Sequence, residues 1–389
     1  MDFHFTADDE AFRSEVRGFL ARELPENWDR RAEDEPSDAS YQFSRAFTSK
    51  LAERRWLAMA WPREYGGLAA GHMQQLIYNE EMSYRGAPGA FSMGVAWVGP
   101  ALMLYGTEMQ KDRFLPRITS GEDVWCTLYS EPGAGSDLAA LQTRAVADGD
   151  DYVINGQKIW TSGAHTSEWG WLAARTDPDS PKHKGISTFV VPMKSPGVTV
   201  RPLINMAGEH GFNEVFFENV HIPKENLVGE LNRGWYQVAV ALDFERSGIQ
   251  AYAGARRTLE QLVALVRDQP QILKRAPKSR LQLVDRAVEL QVGTAIAYRI
   301  PWMQSKGRIP NYEASMSKLF GSELNQRVAR TAIDMLGAFG QLSQPGPWAP
   351  LRGRMATAYL TSVSATIAAG TSEIQRNIIA TRGLGLPRG

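Results

Sequence analysis

The glutamate at position 245 is the residue whose surroundings in this sequence best suit acid–base chemistry. It belongs to an otherwise apolar series whose spacing of three and four positions is typical of one face of an α-helix. The members of this series are Trp235, Val238, Leu242, Glu245, Ile249 and Tyr252. Burial on such a face raises the pKa of a carboxyl group toward the range of a general base. A buried ion pair, for instance with Arg246, explains the same pattern, and it is the favoured interpretation of Arg246 itself.

The loop YSEPGAGSD, residues 129–137, follows a strand-like apolar run and could contact a ligand. Gly133 and Gly135 let the backbone approach a bound group closely, and Ser130 and Ser136 supply hydroxyl groups. Small residues of this kind suit a flavin ring or a phosphate-bearing thioester. An ordinary turn after a strand accounts for the same composition.

Two further stretches combine polar groups with a shape that suits a cofactor. In KIWTSG, the indole of Trp160 could cover a planar ring while Thr161 or Ser162 reaches a ring nitrogen, although a tryptophan more often belongs to a core. In AGTSEIQRN, Gly370 and Thr371 precede a predicted helix whose free N–H groups could hold an anion. A plain capped helix is the alternative there.

Three regions of different character must position these residues, and they predict an α+β fold. Residues 1–121 predict an all-α domain, in which Thr6 caps a first helix with an acidic first turn. Residues 122–231 are rich in β-branched and aromatic residues and predict a β domain, with a hairpin turn at Asn155-Gly156. Residues 232–389 return to long helical patterns, which predict a helical bundle.

Composition excludes several classes of function. Lys and Arg together number 43, as do Asp and Glu, so zero net charge favours neither nucleic acid nor an anionic membrane as partner. The single cysteine, Cys126, lies in an apolar run and is expected to be a buried residue. No Cys/His cluster has metal-ligand spacing, so no metal is expected. No segment resembles a signal peptide or a membrane span, and we expect a cytoplasmic protein.

Four signatures, in order along the chain, resemble the FAD-dependent acyl-CoA dehydrogenase family. They are YSEPGAGSD, NGQKIWTS, NEVFFENVHIPKENLVGELNRGW and AGTSEIQRNII. The resemblance covers essentially the whole chain. It implies an N-terminal helical domain, a middle β-barrel domain and a C-terminal four-helix bundle. It also implies non-covalent FAD, an acyl-CoA substrate, an electron-transfer flavoprotein as electron acceptor and, usually, a tetramer.

The resemblance also assigns roles to matched positions. Trp160 would stack near the isoalloxazine, and Ser162 would form a hydrogen bond near its N5 atom. The implied cofactor-binding residues are Tyr129, Ser130, Gly135, Trp160, Thr161, Ser162, Gly370, Thr371 and Glu373. The implied substrate-binding residues are Ser136, Glu245, Arg246 and Ala369, with Gly135 also close to the acyl-CoA.

The catalytic base is expected to be Glu245. Many members of the family carry a glutamate immediately before the Gly-Thr pair, where this chain has Ala369. The branch with isovaleryl-type and steroid-side-chain dehydrogenases places the base on the first long helix of the bundle. Glu245 matches that position, and Ala369 leaves room for a branched or bulky acyl group.

Two departures from the family pattern bear on assembly. The usual Arg-x-x-Phe-Gly stretch, which reaches the FAD of a neighbouring subunit, is absent from residues 267–287, and Asp334 replaces an expected glutamine. The chain could therefore form a homotetramer or an α2β2 heterotetramer with a homologous subunit. The predicted reaction is α,β-dehydrogenation to a trans-2-enoyl-CoA. The alternatives are a subunit that supports a partner's FAD site, and a flavin oxidase or monooxygenase on the same fold.

Overall fold

A computed structural model describes residues 5–26, 28, 38–89, 91–241 and 247–387. The chain divides into two compact units. One comprises Met1–Tyr41, Ala70–Ala90 and Arg246–Gly389, and is called here the helical unit. The other comprises Gln42–Ala69 and Phe91–Glu245, and is called the sheet unit. Among the described residues, no helix is long and apolar enough to cross a bilayer.

Regular elements follow the order that the sequence predicts: helices, then strands, then long helices. The α-helices of the described residues are α1 (Ala7–Glu23), α2 (Asp38–Glu53), α3 (His72–Arg85), α4 (Gly99–Tyr105), α5 (Glu108–Thr119), α6 (Gly234–Ala241), α7 (Ile249–Asp268), α8 (Gln271–Arg275), α9 (Ser279–Ser305), α10 (Tyr312–Leu336), α11 (Arg354–Ala365) and α12 (Ser372–Ile378). The strands are β1 (Trp125–Leu128), β2 (Arg144–Asp148), β3 (Asp151–Lys158), β4 (Trp169–Arg175), β5 (Ile186–Pro192), β6 (Val198–Leu203), β7 (Phe212–Pro223) and β8 (Leu227–Val228). This order confirms the predicted α+β fold class.

Helix α1 begins where the sequence predicts. The Thr6 hydroxyl accepts a hydrogen bond from the Asp9 N–H, and the Asp9 carboxylate accepts one from the Thr6 N–H, which together form a capping box. Val16 and Phe19 are buried on the inner face of the helix. Local sequence alone therefore explains both the start of α1 and its buried side.

The core of the helical unit lies between α3, α7, α9 and α10. Its buried side chains are mainly leucine, with Ile249, Val328 and Met335 among them. Tyr252 of α7 enters this core because two facing helices carry glycine. A Cβ at Gly293 would lie 2.2 Å from the Tyr252 ring, and one at Gly321 would lie 3.1 Å from it. The Tyr252 hydroxyl donates to the Ser317 carbonyl at 2.7 Å, so its polar end is satisfied.

The strands of the sheet unit form one sheet in the order β6-β7-β3-β2-β4-β5-β8, with β1 paired in parallel to β4. Its core is rich in β-branched and aromatic residues, among them Ile154, Phe189 and Val215, which are fully buried. Cys126 of β1 is also fully buried, as the sequence predicts. β1 and β3 matter most for function, because the YSEPGAGSD loop follows β1 and the Trp160 segment follows β3.

The hairpin predicted at Asn155-Gly156 is wrong. These residues lie inside β3, and the β2–β3 turn is instead at Gly149 and Asp150. The pairing of β3 with β7 shifts register between Ile154 and Gly156, which marks a β-bulge. Gly156 is needed because a Cβ there would lie 2.5 Å from the Thr143 hydroxyl oxygen. An Asn-Gly pair can therefore serve a bulge as well as a turn.

The helical pattern of residues 234–266, which includes the apolar series from Trp235 to Tyr252, predicts one continuous helix, and this prediction is wrong. Helix α6 ends at Ala241, and α7 begins at Ile249 after the non-helical residues Ser247 and Gly248. Gly248 has a φ of +66°, which glycine adopts readily and which breaks the helix. The apolar spacing from Trp235 to Tyr252 therefore does not describe one helix face.

Candidate active site

The YSEPGAGSD loop leaves the sheet at the end of β1 and is held there by β3. The Tyr129 carbonyl accepts a hydrogen bond from the Lys158 Nζ at 3.0 Å, and the Ser130 carbonyl accepts one from the Ile159 N–H at 2.9 Å. Tyr129 also contacts Trp171 edge-on, with ring centroids 5.8 Å apart. The backbone of Tyr129 and Ser130 is thus fixed directly beside the chain that leads into Trp160.

A buried ion pair underlies this arrangement. Lys158 is 0% exposed, and its Nζ lies 2.8 Å from the Glu131 carboxylate. The carboxylate also accepts the N–H groups of Gln142 and Thr143 at 2.6 and 2.9 Å. Burial lowers the pKa of Lys158 to about 8, although the charge and hydrogen bond of Glu131 oppose that shift. Burial alone would raise the pKa of Glu131, but the charge and hydrogen bond of Lys158, together with the hydrogen bonds from Thr143 and Gln142, hold this pKa below its usual value.

The tip of the YSEPGAGSD loop is open. Gly135 and Ser136 are exposed, and no heavy atom of the described chain lies within 4 Å of a Cβ built on Gly133 or Gly135. The loop closes on itself through reciprocal backbone hydrogen bonds between Glu131 and Ala134, at 2.9 and 3.0 Å. An ordered loop with open space beside its glycines leaves room for a bound group to approach the backbone.

Trp160 sits in a strained backbone conformation and presents its indole outward. Its φ is +60°, a region that non-glycine residues seldom adopt, and its side chain is 56% exposed. The next residue, Thr161, is 2% exposed, and its hydroxyl oxygen has no hydrogen-bond partner among the described residues. An exposed aromatic ring next to an unsatisfied buried hydroxyl suggests a segment shaped for a ligand.

The Ala369-Gly370 turn belongs to the helical unit and is strained in the same way. Ala369 is exposed with a φ of +53°, and Gly370 has a φ of +87°. Lys318 donates to the Gly370 carbonyl at 2.6 Å, and Gln375 donates to the Ala369 carbonyl at 3.2 Å. Among the described residues, no acceptor is hydrogen-bonded to the Ala369 N–H. The carbonyls of Ala369 and Gly370 are therefore hydrogen-bonded, while the Ala369 N–H is available to a ligand.

Helix α12 follows this turn and begins at a conventional cap. The Thr371 hydroxyl accepts a hydrogen bond from the Ile374 N–H at 3.2 Å, as the plain-cap interpretation predicts. Glu373 is exposed, and hydrogen bonds from its own backbone N–H and from Thr371 lower its pKa. A cleft of about 390 Å³ opens at this end of the helix. Its lining residues are Glu323, Gln326, Arg327, Thr366, Ile367, Thr371, Ser372, Glu373 and Arg376.

The predicted site residues thus fall into three groups. The sheet unit brings together the YSEPGAGSD loop and the Trp160–Ser162 segment, through the contacts of Lys158 and Ile159. The helical unit holds Ala369, Gly370, Thr371 and Glu373 in one turn and its helix. Glu245 and Arg246 lie outside the described residues.

Comparison with known proteins identifies the family. Acyl-CoA dehydrogenase FadE26 of Mycobacterium tuberculosis is 37% identical over 406 residues, which cover 100% of this chain and 99% of that protein. Profiles of the acyl-CoA dehydrogenase N-terminal, middle and C-terminal domains match residues 6–122, 126–220 and 232–384. This chain belongs to the acyl-CoA dehydrogenase family. Acyl-CoA dehydrogenases are flavoprotein oxidoreductases, so the enzyme class predicted from the four signatures is confirmed.

Solved structures of acyl-CoA dehydrogenases share the whole fold. The Tcur3481-Tcur3483 steroid ACAD has a TM-score of 0.90 and 35% identity, with 100% of both chains covered. The ChsE4-ChsE5 complex from Mycobacterium tuberculosis has the same TM-score, identity and coverage. These relatives confirm the predicted arrangement of helical, sheet and helical domains.

Sequence reasoning missed the residues that support the candidate site. Lys158, Glu131 and Asn213 hold the YSEPGAGSD loop and the Trp160–Ser162 segment in place, and Lys318 holds the Gly370 carbonyl. Lys158 carried a usable signal, since it lies an even number of residues after Tyr152 and Ile154, the buried residues of β3, and therefore shares their side of the strand. Asn213 gave no such signal, because its partners are distant in sequence.

Proposed function

We propose that this chain uses FAD to dehydrogenate an acyl-CoA thioester between its α and β carbons, and passes the electrons to an electron-transfer flavoprotein. Membership of the acyl-CoA dehydrogenase family supports the reaction class. The observation that carries the proposal is the strained Trp160 segment, which presents an exposed indole beside an unpartnered buried hydroxyl. Strain of this kind costs free energy and persists where function requires it.

The residues of the sheet unit fit a flavin. Trp160 offers an aromatic face of suitable size for a tricyclic ring, and Thr161 and Ser162 follow it with hydroxyl groups. Hydrogen bonds fix the backbone of Tyr129 and Ser130, and the open glycines of the same loop leave space for the ring. In the helical unit, the cleft at the start of α12 is lined by Thr371 and Glu373, whose side chains suit a polar part of the cofactor.

FAD would supply the acceptor for the hydride that leaves the β-carbon. The chain's own residues must then remove the α-proton and stabilise the charge that develops on the thioester oxygen. We assign the proton to the Glu245 carboxylate, on the sequence signature alone. We assign the thioester oxygen to the Ala369 N–H, which has no acceptor among the described residues and lies in a rigid turn.

We propose a branched or bulky acyl group as the substrate. Where many members of the family carry a glutamate side chain, Ala369 carries a single methyl group and is exposed. One of the solved relatives is titled a steroid ACAD. Steroid side-chain thioesters are therefore a reasonable class to include among candidate substrates, together with isovaleryl-CoA.

The test is an anaerobic panel of straight, branched and steroid acyl-CoA thioesters, followed by bleaching of the flavin absorbance. We expect bleaching by bulky thioesters, and loss of bleaching in Glu245→Gln while FAD stays bound. The double variant Glu245→Gln with Ala369→Glu places a carboxylate immediately before the Gly-Thr pair, where many members of the family carry their base. For this variant we expect partial bleaching with short straight-chain thioesters. Full turnover by Glu245→Gln would exclude Glu245 as the base. Peroxide formation without bleaching would favour the oxidase alternative.

A second candidate is a subunit that completes the flavin site of a homologous partner. The observation that favours it is the absence of the Arg-x-x-Phe-Gly stretch, and solved relatives include a structure titled as a complex of ChsE4 and ChsE5. Purification alone and with a co-expressed homologue distinguishes the two. A chain that is colourless alone and yellow in the complex supports a heteromeric assembly. If the flavin of that complex is still bleached by substrate after Glu245→Gln, catalysis belongs to the partner.

A further inference from the structure

Asn213, at the start of β7, holds Thr161 from both sides. It is 0% exposed. Its backbone carbonyl accepts the Thr161 N–H at 3.0 Å, and its side-chain Nδ2 donates to the Thr161 carbonyl at 3.0 Å. Both backbone polar groups of the residue after Trp160 are therefore fixed by one buried asparagine. The adjacent pairing of the Gly163 N–H with the Gly211 carbonyl, at 3.2 Å, extends the same contact.

Two histidines determine how the Asn213 amide is oriented. Asn213 Nδ2 lies 3.1 Å from His165 Nδ1, and Asn213 Oδ1 lies 2.9 Å from His210 Nε2. The two imidazole rings stack with centroids 4.1 Å apart at an angle of 25°. The amide therefore donates one hydrogen to Thr161 and the other to His165, and its oxygen accepts from His210. Each of its polar atoms has a hydrogen-bond partner.

This network requires a particular protonation state. The Asn213 Nδ2 can only donate, so His165 Nδ1 must accept, which requires a neutral His165 with its proton on Nε2. The Asn213 Oδ1 can only accept, so His210 Nε2 must carry a proton. Turning the amide over does not help, because its oxygen would then face the Thr161 carbonyl oxygen. A second proton on His165 would place an N–H against the amide N–H and remove the bond.

The surroundings of His165 agree with a neutral ring. Its short turn packs against β6 and β7, whose charged groups are Arg201, Glu214, Glu218 and His221. Arg201 covers the Phe216 ring, Glu214 accepts from Gln157, and His221 lies 3.5 Å from Asp151. Partial burial and then the nearby His210 lower the pKa of His165.

We propose that Asn213, His165 and His210 form a positioning unit that holds the Trp160–Ser162 segment in its cofactor-binding conformation, and that a proton on His165 releases it. This inference rests on the proposed role of that segment in flavin binding. None of the three residues needs to touch the flavin, because each acts through the Thr161 backbone. The unit also explains how a strained Trp160 is maintained, since Thr161, immediately after it, is hydrogen-bonded at both its N–H and its carbonyl.

Hydrogen exchange of the full-length chain as purified tests the unit directly. We expect Asn213→Asp to raise the exchange rate of the Thr161–Gly163 amides roughly tenfold, because a carboxylate cannot donate to Thr161 or His165. FAD affinity should fall by a similar factor. As the pH falls below about 6.5, the ordinary histidine value, wild-type protection, corrected for intrinsic exchange, should be lost only when His165 becomes protonated, because burial and His210 hold the pKa of His165 below that value.

Conservative variants separate positioning from general structure. His165→Asn places an amide oxygen near the Nδ1 position and cannot titrate, so its protection and FAD affinity should stay constant over the same pH range. His165→Ala should resemble Asn213→Asp, and His210→Gln should keep a donor near Nε2 and retain wild-type protection. Equal exchange in wild type and Asn213→Asp would overturn the proposal, and so would a His165→Asn variant whose protection falls with pH as it does in wild type. The hydrogen-exchange measurement tests the positioning unit even if the wild type binds no FAD. A wild type that binds no FAD would contradict only the proposed function.

Discussion

At the scale of single residues, the buried pair of Lys158 and Glu131 is the most consequential feature. Lys158 is fully buried and serves both the Glu131 carboxylate and the Tyr129 carbonyl. Removing one member of a buried pair leaves the other charge uncompensated, at a cost of about 3–5 kcal/mol. The pair therefore couples the stability of the sheet unit to the position of the YSEPGAGSD loop.

We predict that Lys158→Met lowers the free energy of unfolding of the sheet unit by about 3–5 kcal/mol. Urea denaturation followed by tryptophan fluorescence measures the change. Lys224→Met is the matched control, because Lys224 is exposed and its loss should cost no more than about 0.5 kcal/mol. Equal midpoints for the two variants would show that the ion pair contributes nothing to the fold.

At the scale of elements, local signals explain what the sequence could and could not predict. The cap at Thr6 and the apolar face of α1 depend on neighbours within one turn, so the sequence predicts them correctly. The predicted helix across residues 234–266 failed because apolar spacing continues through Gly248, whose positive φ interrupts the helix. The spacing of apolar residues shows which positions are apolar. It cannot reveal a helix break when the apolar spacing on both sides of the break stays the same.

The candidate site shows the same division. Trp160, Thr161 and Thr371 could be proposed from the sequence because motif residues lie next to one another in it. The residues that hold them were missed, because Asn213 and Lys158 reach Thr161 and Tyr129 across strand pairs and loops that only the folded chain brings together. The strain at Trp160 is likewise set by these tertiary contacts, against the residue's own preference.

The strained loop after β3 leads to a second prediction. Alanine is usually more stable than glycine in a folded chain, but at the φ of +60° of residue 160 the order should reverse. We expect Trp160→Gly to be more stable than Trp160→Ala by about 1 kcal/mol, measured by thermal or urea unfolding. Both variants lack the indole, so both should bind FAD about three- to tenfold more weakly than wild type. Greater stability of Trp160→Ala would mean that the loop relaxes out of this conformation.

At the scale of the whole molecule, α9 carries apolar residues on two opposite faces. Leu283, Leu290 and Ala297 face the core of the helical unit. An exposed apolar stripe runs along the other side, with side-chain exposures between 47% and 70%. It consists of Leu281, Val284, Val288 and Val292. Contiguous exposed apolar surface on a helix favours a contact with another subunit.

We therefore predict that this stripe is a subunit contact and that charges on it prevent the chain from forming an oligomer. Val284→Glu with Val288→Glu should shift the mass measured by light scattering from an oligomer to a smaller species, because a buried interface would have to desolvate two carboxylates. Far-ultraviolet circular dichroism should stay unchanged, since both side chains lie outside the core of the unit. Gln271→Glu adds the same type of charge at an exposed site on α8 and should leave the mass unaltered.

An unchanged mass in the double variant would exclude the stripe as the subunit contact. Repeating the measurement with a co-expressed homologue would show whether the stripe contacts a second copy of this chain or a different subunit.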